Sequence, residues 1–258
     1  MRFILFFLII PFCLFSIALQ DRTISKELID ELFCECAIQQ NRVEETQIKW
    51  LRPAQKERWE IEDLPLEKTT VVLEWAKKAG LFEEWTPILT HYDKAFILGS
   101  TTKSMQERLK YLSKLFEQGI TFDEVVFLTS ERPLDRKVDD VCDLCKTETE
   151  AAQMIWKMAE LSQKMKAISV SFISSPCQGL KRPTTRENIQ SLVAQHQSPI
   201  ICLFVSSQPY AIYQYEVIKE NIPESYLFDV VAGKVDCLRA VIVLDTLARW
   251  IFQKNSHL

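Results

Sequence analysis

The chain has 258 residues, 47% hydrophobic and 26% charged, the composition of a folded globular protein rather than a disordered or fibrous one. With 31 Lys+Arg against 35 Asp+Glu the net charge is −4, so the broad basic field that duplex nucleic acid requires is missing and no nucleic-acid partner is expected. Only 5 Gly occur and no G-x-x-x-x-G-K-[ST] is present, which excludes Gly-rich repeats and a Walker loop.

The first element is an apolar run from Phe3 to Leu19, broken only by Pro11, Cys13 and Ser16, with Arg2 before it and Asp21, Arg22 and Lys26 after it. It reads as a targeting segment. Its length is at the short limit for crossing a hydrocarbon core of roughly 30 Å, and Ser16-Ile17-Ala18 offers small residues at two of the positions a signal peptidase prefers. Residues 1–19 are therefore expected to be a cleaved signal or a retained membrane anchor. In both cases Arg2 stays inside, and the body is expected to be exported, periplasmic or held at the inner membrane facing the periplasm.

Residues 20–90 read as a polar-rich helical extension. Leu28, Ile29, Leu32, Phe33 and Ile38 suggest one amphipathic helix, and a second runs from Leu66 to Ala79, stopped by Gly80. Between them, the stretch from Thr46 to Trp59 is too polar for a core element. Trp50, Trp59, Arg52, Lys56 and Arg58 make it either a solvated connection anchored by Trp, the plainer reading, or a basic-aromatic flap over a site.

From residue 91 to 258 the pattern changes to strands alternating with helices. Apolar strands are expected at residues 93–98, 125–128, 168–173, 200–205 and 227–232. After the first, Gly99-Ser100-Thr101-Thr102 leads into a helix with Met105, Leu109, Leu112 and Phe116 on one face, stopped by Gly119. Thr147-x-x-Glu150 and Thr184-x-x-Glu187 are capping boxes, the first opening a helix with Met154, Met158 and Leu161 inward, the second one with Ile189, Leu192 and Val193 inward. Pro209 suits a first helical position, and Leu238 to Phe252 closes the chain. Continuous apolar strands with helical crossovers argue an α/β fold: a three-layer, doubly wound, mainly parallel five-stranded sheet behind the N-terminal helical extension.

In such sheets ligands sit beyond the carboxyl ends of the strands. That places candidate ligand-binding residues at Gly99, Ser100 and Thr101, at Thr129, Ser130 and Arg132, near residues 174–176, and at Ser206, Ser207 and Gln208. Hydroxyl-rich ends leading into helix N-termini suit a phosphate or carboxylate, although each hydroxyl is also a good helix cap. His91, His196 and His257 fall at no strand end, so a His-based triad is not expected. The candidate catalytic carboxylates are Glu131, Glu150 and Glu187, of which helix capping explains the last two. Asp245 shares a helical face with Leu238, Val241, Ala248 and Phe252, so it is either buried with partners or marks a cleft.

Eight Cys occur, at 13, 34, 36, 142, 145, 177, 202 and 237. Cys202 and Cys237 read as small core residues. Cys142-Asp143-Leu144-Cys145 has motif spacing, but Asp139, Asp140 and Asp143 oppose the low-pKa thiolate that redox work needs. Zinc would require Cys34 and Cys36 to complete a four-sulfur set, so no metal is assigned and a structural disulfide or inert thiols are expected.

From Tyr92 to Phe252 the order of elements and motifs resembles the bacterial YdcF/SanA-like envelope family. The resemblance lies in Gly99 with a downstream Arg108, the polar turn 129–132, Thr149-Glu150-Ala151, Thr184-Thr185-Arg186-Glu187-Asn188, and the turn 205–210. The family's Gly-Gly turns stand here as Gly99-Ser100 and Ser130-Glu131, and its His-x-x-Arg as Gln208-Pro209-Tyr210-Ala211. The resemblance implies a Rossmann-like domain tied to envelope biogenesis, a nucleotide- or phosphate-type ligand, and Arg108, Glu150, Thr185 and Asn188 as further ligand-binding positions. It names no cofactor. The expected function is binding of an anionic, phosphorylated or nucleotide-like small molecule at the strand ends. The alternatives are a non-catalytic interaction module with a decayed site, and a periplasmic thiol oxidoreductase resting on Cys142 and Cys145 alone.

Overall fold

The computed structural model describes residues 17–39, 41–54, 56–141, 143–179, 182–195 and 198–255. The apolar segment up to residue 16, Cys142, His196 and His257 lie outside the described residues. A two-residue strand Ile17–Ala18 (β1) precedes the helices Lys26–Glu35 (α1), Arg42–Lys49 (α2) and Leu66–Lys78 (α3). Then follow His91–Leu98 (β2), Thr102–Glu117 (α4), Thr121–Ser130 (β3), Glu148–Met158 (α5), Gln163–Lys166 (α6), Ser169–Ser175 (β4), Thr185–Gln195 (α7), Ile201–Ser207 (β5), Ala211–Asn221 (α8), Leu227–Gly233 (β6) and Ala240–Asn255 (α9).

Local chemistry accounts for most boundaries. Thr101 caps α4 by accepting the Ser104 N–H at 3.4 Å, and Gly119 ends that crossover at a φ of 98°, open to glycine at little cost. Thr147 and Glu150 form a complete capping box on α5. At α7 the Glu187 carboxylate accepts from the Thr184 backbone N–H at 2.8 Å and from its hydroxyl. The strands are nearly continuous apolar runs because both faces of the sheet are covered.

All strands are parallel, in the order β1-β6-β5-β2-β3-β4. The five long ones form the expected doubly wound sheet, with crossovers diverging from the neighbouring pair β2 and β5. This is the Rossmann-like arrangement, and its topological switch point lies between the ends of those two strands. Helices α4 and α5 cover one face, over Ala95, Ile97, Val125, Phe127, Leu203 and Val231. The other face, with Phe96, Val126, Phe204 and Phe228, is covered by α7 and α8, with α9 packed on α8.

The helical extension joins that second core. Leu32, Phe33, Trp50, Trp75 and Phe82 belong to the same buried cluster as Leu244 and Leu247 of α9, and α2 and α3 both pack on α9. Twelve of the 16 residues of α9 are consequently buried, which is why its polar Asp245 needs internal partners. Trp85 extends the edge of β6 by exchanging backbone hydrogen bonds with Ala232 at 2.8 and 3.2 Å.

Some local expectations are corrected. The stretch after Asn41 is helical as α2, because its charged face meets water while Thr46 is buried and Val43 packs against the core. Met158 is 65% exposed and Ala151, Ala152 and Ile155 face inward instead. Pro209 is not the first residue of a helix: the Gln208–Pro209 peptide is cis and α8 begins at Ala211. Phe252 points outward and Cys237 is exposed. Among the described residues no helix is long and apolar enough to cross a membrane.

Because α1 shares its core with α9, Leu32→Ala is expected to destabilise the whole chain by about 2–5 kcal/mol, the cost of a buried leucine truncation. Far-UV circular dichroism and tryptophan fluorescence should melt together before and after the substitution; two separated transitions would mark the extension as an independent unit.

Candidate functional site

The switch point is occupied by a side chain of the protein itself. Arg108, on α4 and 2% exposed, donates from Nη1 to the carbonyls of Leu98 at 2.5 Å and Gly99 at 3.1 Å, at the end of β2. Its Nε and Nη2 donate to Ser207 Oγ at 3.2 and 3.0 Å, at the end of β5. Among the described residues it makes no ion pair with a carboxylate. Burial pushes its pKa down to about 10, only partly opposed by Tyr210 and Glu148, so it stays charged at neutral pH.

On the β3 side of Arg108 lies a chamber of about 250 Å³ bordered by Gly99, Ser130, Arg132, Glu148, Thr185 and Asn188. Glu148, the first residue of α5, is 4% exposed and presses against the turn after β2: a Cβ at residue 99 would overlap its Oε1 and stand 2.7 Å from Leu128 O. Glycine is required here by close approach. Ser130 Oγ donates to Glu148 Oε2 at 2.5 Å, and Arg132 Nε stands 3.7 Å from the same oxygen. Burial dominates and raises the Glu148 pKa, against the lowering effects of Arg132 and Ser130. A buried carboxyl group so placed can exchange a proton nearer neutrality than a free one.

Arg132 is fixed by Asp139, which is fully buried and accepts from Arg132 Nη1 at 2.8 Å and from the N–H groups of Thr102 and Asp135, each at 3.0 Å. Burial alone would raise the Asp139 pKa; Arg132 and the two N–H groups outweigh it and hold it below the usual carboxylate range. Arg132 Nη2 also donates to Ser100 O at 3.1 Å, tying the turns after β2 and β3 together.

The chamber opens into a mouth of about 630 Å³, lined on one side by the segment between α2 and α3. Both readings of this segment hold in part: Trp50 is buried as an anchor in the core and Lys56 is exposed, while Arg52, Arg58 and Trp59 line the mouth. Asp245 is fully buried behind these arginines and accepts from Arg52 N at 3.0 Å, Arg58 Nε at 3.2 Å and Arg249 Nη2 at 3.1 Å. Burial would raise its pKa, but these arginines hold it low. The Arg58 guanidinium lies 4.4 Å from the Tyr210 ring centroid, and Arg182 pairs with Glu57 at 2.5 Å. Two buried donors here, Arg52 Nε and Trp59 Nε1, have no acceptor among the described residues. Burial lowers the Arg52 pKa, and the like charges of Arg249 and Arg58 lower it further.

The structure brings together Gly99, Ser100, Arg108, Ser130, Arg132, Thr185 and Asn188 in the chamber, with Thr101 at the mouth. It does not bring the rest. Thr129 is fully buried and spends its hydroxyl on Thr149 and Ile173 O. Glu131 is exposed, its side chain turned away because its N–H pairs with Ser175 O as β3 ends. Glu150 is exposed and Glu187 half-buried, and both carboxylates cap helices. Ser206, Ser207 and Gln208 line a separate groove beyond Arg108, where Gln208 Nε2 donates to Glu83 O at 2.9 Å.

Glu148, Asp139, Arg182 and Arg249 were missed as site residues. Glu148 is two positions from the capping Glu150, and only the packing of α5 on the β2 turn separates their roles. The Arg249 signal was present, since it stands four residues after Asp245 on one helix. His91, Asp93 and Asp123 bring ligand atoms within 4.8 Å of one another, but at the opposite ends of the strands, and Asp93 already accepts Ile201 N–H at 2.6 Å. Cys145 is buried with its thiol directed at Glu150 O, 3.7 Å away. No family model matches the chain, and neither a curated protein nor a solved structure matches it.

Asp139→Asn removes the nearer of the two carboxylates beside the buried Arg132, leaving Glu148 at 3.7 Å, and is expected to cost about 3 kcal/mol at pH 7. The depressed pKa of Asp139 contributes stability above the unfolded carboxylate value of about 4, lost as pH falls through the folded one, so urea midpoints of the variant should fall less steeply than wild type below pH 4. Glu148 has the opposite sign. Its raised pKa contributes stability below about 4.3 that is lost as pH rises through the folded value, so Glu148→Gln should gain on wild type across that window.

Proposed function

We propose that the protein binds an anionic, phosphorylated small molecule at the carboxyl ends of its strands, with the phosphate in the arginine-lined mouth. The observation that carries this reading is the pair of buried, unpartnered donors, Arg52 Nε and Trp59 Nε1, set among Arg58, Arg182 and Arg249. Buried donors without acceptors are costly in a folded protein, and an anion supplies acceptors to several at once. Guanidinium groups match phosphate oxygens two at a time. Export and a role in envelope assembly belong to the same proposal, supported by the apolar run from Phe3 to Leu19 and by the family resemblance.

A second reading, a non-catalytic interaction module, is favoured by the internal pairing of the same arginines: Arg182 with Glu57, and Arg58 and Arg249 with Asp245. Titration calorimetry of the full chain with inorganic pyrophosphate separates the two. The binding reading expects saturable, salt-sensitive heat, and a loss of about 1.5–3 kcal/mol for Arg182→Ala, the worth of a charge-assisted hydrogen bond. Arg182 is 43% exposed at its side chain, so the fold should be unaffected. Absence of binding by the intact chain leaves the interaction module.

A further inference from the structure

Arginines border both the mouth and the chamber, and the chamber lining adds two side-chain acceptors, Asn188 and Glu148. Asn188 is 8% exposed, and its Nδ2 lies 3.5 Å from Leu128 O. Its Oδ1 is buried and has no hydrogen-bond partner among the described residues. Glu148 Oε1 fills the space a side chain at residue 99 would need, a space that Leu128 O also borders. The Asn188 amide and the buried Glu148 carboxyl group both border the chamber.

These two groups can accept hydrogen bonds from a ligand that reaches into the chamber. At about 250 Å³ the chamber falls below the range of roughly 300–1,000 Å³ typical of sites for drug-sized molecules, so the group that enters it is small. The rings that border the chamber are Tyr210 and Tyr213, and Tyr210 is already covered by Arg58. A flat base has little to stack on, whereas hydroxyl groups find acceptors.

Resting on the anion-binding reading, we propose that the ligand is a phosphorylated polyol or sugar, with its phosphate among the arginines of the mouth and its hydroxyls donating to Asn188 Oδ1 and Glu148 in the chamber. Calorimetry on the full chain with inorganic phosphate, ribose 5-phosphate, glucose 6-phosphate and uridine monophosphate tests it. A sugar phosphate is expected to bind at least about tenfold more tightly than inorganic phosphate, the size of one well-made buried hydrogen bond to a charged group. Asn188→Leu should abolish that margin while leaving inorganic phosphate within about twofold of wild type, and Asn188→Ser provides the same comparison should the leucine variant not fold. Equal affinity for phosphate and both sugar phosphates, or an equal loss for all ligands in the Asn188 variants, overturns the inference while leaving the anion site intact. Tighter binding of the nucleotide than of either sugar phosphate also overturns it. Failure of every ligand, inorganic phosphate included, sinks the anion-binding reading itself.

Discussion

The organisation of this molecule turns on one buried cation. Doubly wound sheets leave a crevice where their crossovers part company, and the chain fills it with Arg108, whose guanidinium joins the end of β2 to the end of β5 through Leu98, Gly99 and Ser207. A charge held at that depth without a carboxylate partner would be intolerable if its donors were idle; here they are spent on backbone carbonyls and a hydroxyl. The result is a partition. The strand ends no longer form one continuous trough, and the chamber beside β3 is walled off from the groove beside β6.

Around that partition the charged groups fall into two tiers. Asp139 and Asp245, both fully buried, act as internal counterions that orient arginines rather than as reactive groups, and their depressed pKa values keep them ionised. Glu148 differs from both because burial outweighs its partners. The three carboxylates lie within one region yet titrate in different directions, according to how many donors each one meets.

The sequence made the sheet, its parallel sense and the strand ends legible, because apolar runs of strand length separated by capped helices admit few other arrangements. Arg108 and Asn188 were visible only through the family resemblance, since neither periodicity nor capping marks them. The segment containing Arg52, Arg58 and Trp59 is ambiguous in sequence for a physical reason: an Arg-Trp segment has the same composition whether it faces water or borders a cleft, and its long-range contact with Asp245 leaves no local signature. Glu131 and Glu148 show the converse. Both follow the second strand, but one ends on a backbone bond that turns it outward and the other enters the space left by a glycine 49 residues earlier in the chain. Proximity of that kind has no local signature.

The two-residue strand β1 fixes a direction for the whole molecule. It runs parallel to β6 and pairs with the first residues of that strand, Ile17 with Leu227 and Ala18 with Phe228. The chain therefore joins the sheet at the pole where the strands begin, while the arginine-lined mouth opens at the pole where they end, about 20 Å away at some 3.3 Å per residue. Under the proposed attachment through the apolar run that precedes β1, the tether joins the body at the pole opposite the mouth.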